Sequence, residues 1–174
     1  MNELRYGGNL FLLPDGPEAA VVTTNGIIRK DGLAVMGAGI AKYARDNLAG
    51  IDAVLGSMLT KYGNHAYFLG SFTDMHRQIK SLAPSIFVVS MPTKNDWRDP
   101  SDINLIKQSA HELMALADRN NLRKLYLPAP GCSNGRLDYI SDVRPAISGI
   151  LDNRFTVCLD PALYDRIHRN GGAV

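Results

Sequence analysis

Three short stretches of the sequence hold residues suited to gripping an anion and doing chemistry beside it. "VMGAGIA" (35–41) sets Gly37 and Gly39 on either side of an alanine, just where an amphipathic helical pattern begins. Glycine weakens a helix and costs conformational entropy. Two glycines there imply either close approach by another group or an unusual backbone angle. "APGCSNGRLDY" (129–139) repeats the arrangement, with Gly131 and Gly135 enclosing Ser133 and Asn134 before a second helical pattern. Backbone N–H groups at strand-to-helix junctions, with the positive end of a helix dipole, suit a phosphate. "MPTKNDWRDP" (91–100) carries Lys94 between an apolar run and a capped helix, facing the same crevice. A lysine emerging from a buried strand loses part of its hydration and becomes usable as a nucleophile or base. Most lysines are solvated surface residues, and position alone does not decide between the two.

Several other chemistries fit less well. A dinucleotide fingerprint needs a third glycine where Lys42 stands and a strand running tightly into the loop. Here "NGIIRKDGLAV" (25–35) intervenes, and no second strand with a closing acid follows. That argues against a hydride-transferring Rossmann enzyme. Cys132 has no histidine near it in sequence to activate it, so a packed thiol is the better reading. Trp97, the one tryptophan, either shapes the pocket or packs beneath the helix that follows it, and the second is the expectation. Histidines 65, 76, 111 and 168 lack metal-site spacing, and no metal or cofactor is expected.

Short apolar runs must position these loops: "AAVVTT" (19–24), "AYFLGSF" (66–72), "SIFVVSM" (85–91), "KLYLPA" (124–129) and "FTVCL" (155–159). Each is bounded by turn-forming residues and reads as a strand. Helical stripes lie between them. Residues 38–48 and 51–62 fit helices. Ile103, Ile106, Ala110, Leu113 and Ala117 share one face behind Asp99 as cap and Pro100 as first helical residue. Ile140, Val143, Ile147 and Ile150 share another behind Asp138, and Asp160-Pro161 opens a last helix. Strand–helix alternation predicts an α/β fold with a mostly parallel central sheet. The 66–72 and 85–91 strands, with no clear helix between them, make the sheet mixed by pairing antiparallel.

The chain has 174 residues, 45% hydrophobic and 21% charged, with a net charge of +2. That suits one domain over 1–174 with a real core. No apolar run reaches the length of a membrane span. "MNELRYGGNLF" lacks the basic-then-apolar order of a secretory leader. Two cysteines suit a reducing compartment, and a cytoplasmic setting is expected.

In order along the chain, these segments resemble a macrodomain, the ADP-ribose-binding α/β fold, a three-layer sandwich of helices on both faces of a mixed, mostly parallel sheet. "YGGNLF" (6–11) is similar to the family's opening motif, and "VVTTN" (21–25) to its asparagine-ended strand. "VMGAGIA", "MPTKNDWR" and "GCSNGRLDY" follow in family order. The set looks closest to the branch holding the terminal ADP-ribose protein glycohydrolase and the antitoxin that strips ADP-ribose from thymidine in DNA. The resemblance implies a hydrolase with Lys94 catalytic at the anomeric carbon of the distal ribose. It implies ligand binding by Asn9 and Leu10 near the adenine and by Asn25 near the distal ribose. Met36, Gly37, Ala38, Gly39 and Ile40, with Gly131, Cys132, Ser133, Asn134 and Gly135, would cradle the diphosphate and distal ribose, with Pro92 and Thr93 beside Lys94. The implied partners are ADP-ribose or an ADP-ribosylated DNA or protein, and an ADP-ribosyltransferase that places the modification. The protein deacylase has a catalytic aspartate where Gly135 stands, whereas the DNA-acting antitoxin carries glycine. The longer 25–35 connection brings Arg29, Lys30 and Asp31, placed to touch a target or cover the ligand. A non-catalytic ADP-ribose-binding module and an ADP-ribose 1''-phosphate phosphatase are the alternative functions.

Overall fold

In the computed structural model the described residues are 1–14 and 16–169, so the end of the expected 1–174 domain lies outside them. Six strands form one sheet: β1 (Asn2–Arg5), β2 (Ala19–Asn25), β3 (Tyr67–Thr73), β4 (Ser85–Lys94), β5 (Leu125–Pro128) and β6 (Phe155–Leu159). Their spatial order is β1-β6-β5-β2-β4-β3. Neighbours run parallel except β3 against β4, which are antiparallel.

The central strands are apolar on both faces because both faces are covered. Along β2, Ala19 and Val21 enter one core and Ala20 and Val22 the other. The first core is closed by α4 (Ile103–Arg119), by a π turn (Tyr139–Val143) running into α5 (Arg144–Ile147), and by α6 (Pro161–Arg169). The second is closed by α1 (Gly39–Asn47) and α2 (Ile51–Tyr62), with a 3-10 turn at Leu10–Leu12. Short α3 (Met75–Ile79) lies between β3 and β4. No described helix is long and apolar enough to cross a membrane.

Two helix starts differ from expectation. Asp102, not Asp99, caps α4, its Oδ1 accepting from the N–H groups of Asn104 and Leu105. The Ser101 N–H donates to the Gly135 carbonyl and the Asp102 N–H to that of Thr93, which holds 101–102 out of the helix. Asp138 does cap, but the chain behind it makes a π turn before α5. Pro145 has no N–H for the Ser141 carbonyl, so a regular helix cannot run through it. Strand β1 was not expected at all.

The 25–35 connection is a small hairpin, bridged between Ile28 and Ala34 and lying on α2. Gly56 permits that contact: a Cβ there would overlap the Gly32 carbonyl and sit 3.0 Å from the Ala34 nitrogen. Alanine is intrinsically the better helix former by about 1 kcal/mol. Gly56→Ala is nonetheless expected to destabilise the protein by about 2 kcal/mol, because a backbone carbonyl cannot swing away. Urea unfolding measures this, and an unchanged midpoint would mean the hairpin yields freely.

Candidate active site

The chain leaves β2 toward the α1–α2 face and leaves β5 toward the α5 face. Strands β2 and β5 pair at only two positions, Ala19 with Leu125 and Ala20 with Tyr126, and their carboxyl ends are not paired. This is a topological switch point, where open α/β sheets place ligands. A cavity of about 580 Å³ occupies it, walled by the ends of β2, β4 and β5 and by both glycine loops. A second cavity of about 500 Å³ adjoins it, between the 6–10 segment, α1 and the end of β6. Gly39, Ile40, Pro128 and Ser133 line both, so the two are halves of one elongated cleft.

The glycine loops form its waist. A Cβ on Gly39 would lie 3.8 Å from Asn134 Nδ2 of the opposite loop. Gly39 has a left-handed φ of +54°, which a side chain would strain. Gly37 has neither that φ nor, among the described residues, any neighbour within 4 Å of a Cβ, so none of them requires glycine there. Helix α1 starts from Ala38 with no side-chain cap. Its first helical bond runs from the Lys42 N–H to the Ala38 carbonyl, leaving the N–H groups of Gly39, Ile40 and Ala41 without helical partners. All three residues line the larger cavity. Asp102 serves the same donors of α4, whereas those of α1 have no side-chain cap and belong to residues lining the cavity, an arrangement that suits an anion.

Lys94 is the last residue of β4 and the one titratable side chain, among the described residues, lining the larger cavity. It is only 8% exposed. Its Nζ donates to the carbonyls of Asp99 (2.8 Å) and Asn134 (3.1 Å), tying the middle loop to the second glycine loop. An ammonium has three donors, so one remains for the cavity. The Asn64 amide donates to the Lys94 carbonyl and fixes the backbone.

The remaining expected residues divide. Asn25, Gly37, Ala38, Gly39, Ile40, Thr93, Gly131, Ser133, Asn134 and Gly135 line the larger cavity, and Asn9 and Leu10 the smaller. The Asn25 amide is engaged in holding the hairpin, donating to the Val35 carbonyl and accepting from the Ile27 N–H. Asn9 Oδ1 accepts from the Phe11 N–H. Met36, Pro92 and Cys132 do not line the cleft. Met36 is buried in the α1–α2 core, Pro92 accepts from the Ser109 hydroxyl beneath the sheet, and Cys132 packs against the α4 core. Burial pushes the Cys132 thiol up to about 12, which keeps it protonated. Arg29, Lys30 and Asp31 lie exposed at the hairpin tip, away from the cavity walls, with Arg29 paired to Asp31.

Trp97 is a correction. It stands before α4 rather than under it, is 52% exposed and lines the larger cavity. The Arg98 guanidinium lies 5.0 Å from its ring centroid. Thr23, Thr24, Ser101 and Ala129 also line the cleft without having been singled out. Tyr6, Tyr43 and Asp160 border the smaller half. Tyr6 opens the "YGGNLF" motif and Asp160 precedes the last helix, while nothing in its sequence neighbourhood marks Tyr43. Among the described residues no three His, Cys, Asp or Glu side chains gather as a metal site needs.

No family model matches the sequence, and no curated protein matches it. Solved structures do. Thermosipho africanus DarTG, in complex with ADP-ribose, is 19% identical with a TM-score of 0.71, over 91% of this chain and 42% of that one. The chain thus spans less than half the length of that protein. The macrodomain of Mycobacterium tuberculosis DarG is 22% identical with a TM-score of 0.66, over 91% and 98% of the two chains. The macrodomain of Thermus aquaticus DarG is 24% identical with a TM-score of 0.61, over 92% and 97%. Likenesses that run through nine-tenths of the sequence show that this chain adopts the macrodomain fold.

Proposed function

We propose that this protein binds ADP-ribose and hydrolyses the bond at the anomeric carbon of its distal ribose, releasing ADP-ribose from a modified macromolecule. The observation that carries the reading is Lys94, among the described residues the one titratable group on the walls of the larger half of the cleft. The uncapped start of α1 and the opposed glycine loops give the diphosphate a seat at the waist. The adenosine then lies in the half bordered by Asn9 and Tyr43, and the distal ribose beside Lys94, Asn25 and Thr93. Thermosipho africanus DarTG, similar in fold, holds ADP-ribose.

Loss of the group at the anomeric carbon passes through an oxocarbenium-like state. A lysine beside that carbon serves as nucleophile or as base toward water. Trp97, with the Arg98 guanidinium 5.0 Å from its ring centroid, stands at the same half of the cleft, where the group bonded to the ribose must leave. An ADP-ribosyltransferase is the class of partner that such an activity requires upstream.

Titration calorimetry with ADP-ribose tests binding. Release from ADP-ribosylated thymidine DNA, ADP-ribosylated glutamyl protein and O-acetyl-ADP-ribose tests the chemistry. Binding with release from at least one substrate is the expected outcome. Gly135 favours a second reading, a binding module, because no acid stands there to assist; binding with no release from any substrate would establish it. Phosphate release from ADP-ribose 1''-phosphate alone would make the protein a phosphatase. No binding at millimolar ADP-ribose overturns the proposal.

A further inference from the structure

Ser101 is 7% exposed, and its hydroxyl has no hydrogen-bond partner among the described residues. An unpaired buried hydroxyl is costly, and native structures keep few of them. Ser101 is one of the residues lining the larger cavity, with its hydroxyl set back against Gly135 of the second glycine loop. Its position is fixed from both sides, since the Ser101 N–H donates to the Gly135 carbonyl (2.9 Å) and the Asp102 N–H to that of Thr93 (2.9 Å). Lys94 reaches the same loop one residue earlier, through the Asn134 carbonyl. The Ser101 oxygen also lies where the Cβ of any side chain at 135 would be. A hydroxyl from the start of α4 therefore occupies the place that a residue-135 side chain would otherwise fill.

We propose that Ser101 is a ligand-positioning residue whose hydroxyl pairs with a hydroxyl of the distal sugar in the cleft; this rests on the ADP-ribose reading above. A neutral group that both donates and accepts matches a sugar hydroxyl. The diphosphate already has the α1 N–H groups, which only donate. Ser101 stands with Lys94 under the second glycine loop, on the sugar's side of the waist. The bound ligand thus completes a hydrogen bond that the free protein lacks.

The test compares wild type and Ser101→Ala by calorimetry with ADP-ribose and with ADP, which has no distal sugar, and by thermal melting. The variant is expected to bind ADP-ribose about tenfold more weakly, the worth of one good hydrogen bond, and ADP unchanged. Its ligand-free Tm is expected to hold or to rise by about 2–4 °C, because an unpaired polar group has been removed. A purely structural serine would lower the Tm and weaken both ligands alike, and that result overturns the proposal. Unchanged ADP-ribose affinity in the variant overturns it too, while leaving ADP-ribose binding intact. A wild-type protein that fails to bind ADP-ribose overturns the parent reading and this one with it.

Discussion

Lys94→Ala is expected to lower release of ADP-ribose by about a thousandfold or more while leaving ADP-ribose affinity within about tenfold of wild type. The first half follows from Lys94 being, among the described residues, the one titratable group on the wall of the larger cavity, which leaves no neighbour there to take over proton transfer or attack. The second follows from what the ammonium touches. Its partners are two backbone carbonyls, of Asp99 and Asn134, with no carboxylate among them. Removing it leaves carbonyls that water entering the cavity can satisfy, and the α1 N-terminus proposed to seat the diphosphate is untouched. The lysine is also well placed to act. It ends a strand, stands in register with Asn25 on β2, and has its own carbonyl held by Asn64. A group on a strand end is held more tightly than one on a loop, which near-attack geometry needs. Lys94→Arg sharpens the test, because arginine keeps the charge and the donors but cannot give up its proton. Single-turnover release assays with both variants, alongside calorimetry, provide the measurements. An arginine variant as active as wild type would reduce Lys94 to an electrostatic role, and an active alanine variant would remove it from the mechanism.

The strands were legible where burial on both faces makes them apolar. "AAVVTT", "SIFVVSM" and "FTVCL" declare themselves because water is excluded from both sides. Strand β1, "NELR", carries no such signal. It is held instead by Glu3, whose carboxylate accepts from the Tyr139 hydroxyl (2.9 Å) and Arg144 Nε (2.7 Å) and lies 3.1 Å from His168 Nε2. Burial alone would raise the Glu3 carboxyl, but the hydrogen bonds from Arg144 and Tyr139 and the nearby charges hold it below the usual carboxylate range. These partners lie more than 130 positions away, beyond any local pattern. The same applies in the cleft. Lysine and glycine loops are conspicuous in a sequence, while Ser101 is an ordinary serine until Gly135 and Lys94 are packed around it. Trp97 was misjudged because the helix start was set three residues early. Gly56 looked like a flaw in a helix until the hairpin carbonyl was laid on it.

Gly135→Asp is expected to weaken ADP-ribose binding by at least about a hundredfold and to lower the Tm by about 5–8 °C, although it adds the acid found at this place in the deacylase. The cause is room rather than charge. A Cβ on residue 135 would overlap the Ser101 hydroxyl and the Gly131 carbonyl and lie 2.8 Å from Gly131 Cα. The unpaired Ser101 hydroxyl can rotate aside, but the Gly131 backbone cannot retreat at low cost. The Gly131 carbonyl accepts from the Leu137 N–H, and Ser101 is tied through its own N–H to the Gly135 carbonyl. The loop must therefore open, which takes the Gly135 carbonyl from Ser101 and the Asn134 carbonyl from Lys94. Loss of that geometry removes one side of the waist and loosens Lys94, the proposed catalytic group, at once. Gly135→Ala separates sterics from electrostatics, since a single methyl already meets both obstacles. It should do nearly the same damage in melting and calorimetry. If alanine is tolerated and aspartate is not, repulsion of the diphosphate by the new carboxylate is the cause. If aspartate folds, binds and speeds release, the loop has the freedom to admit a second catalytic group. Failing that, the carboxylate-assisted route is closed to this backbone, and Lys94 works with neutral groups around it.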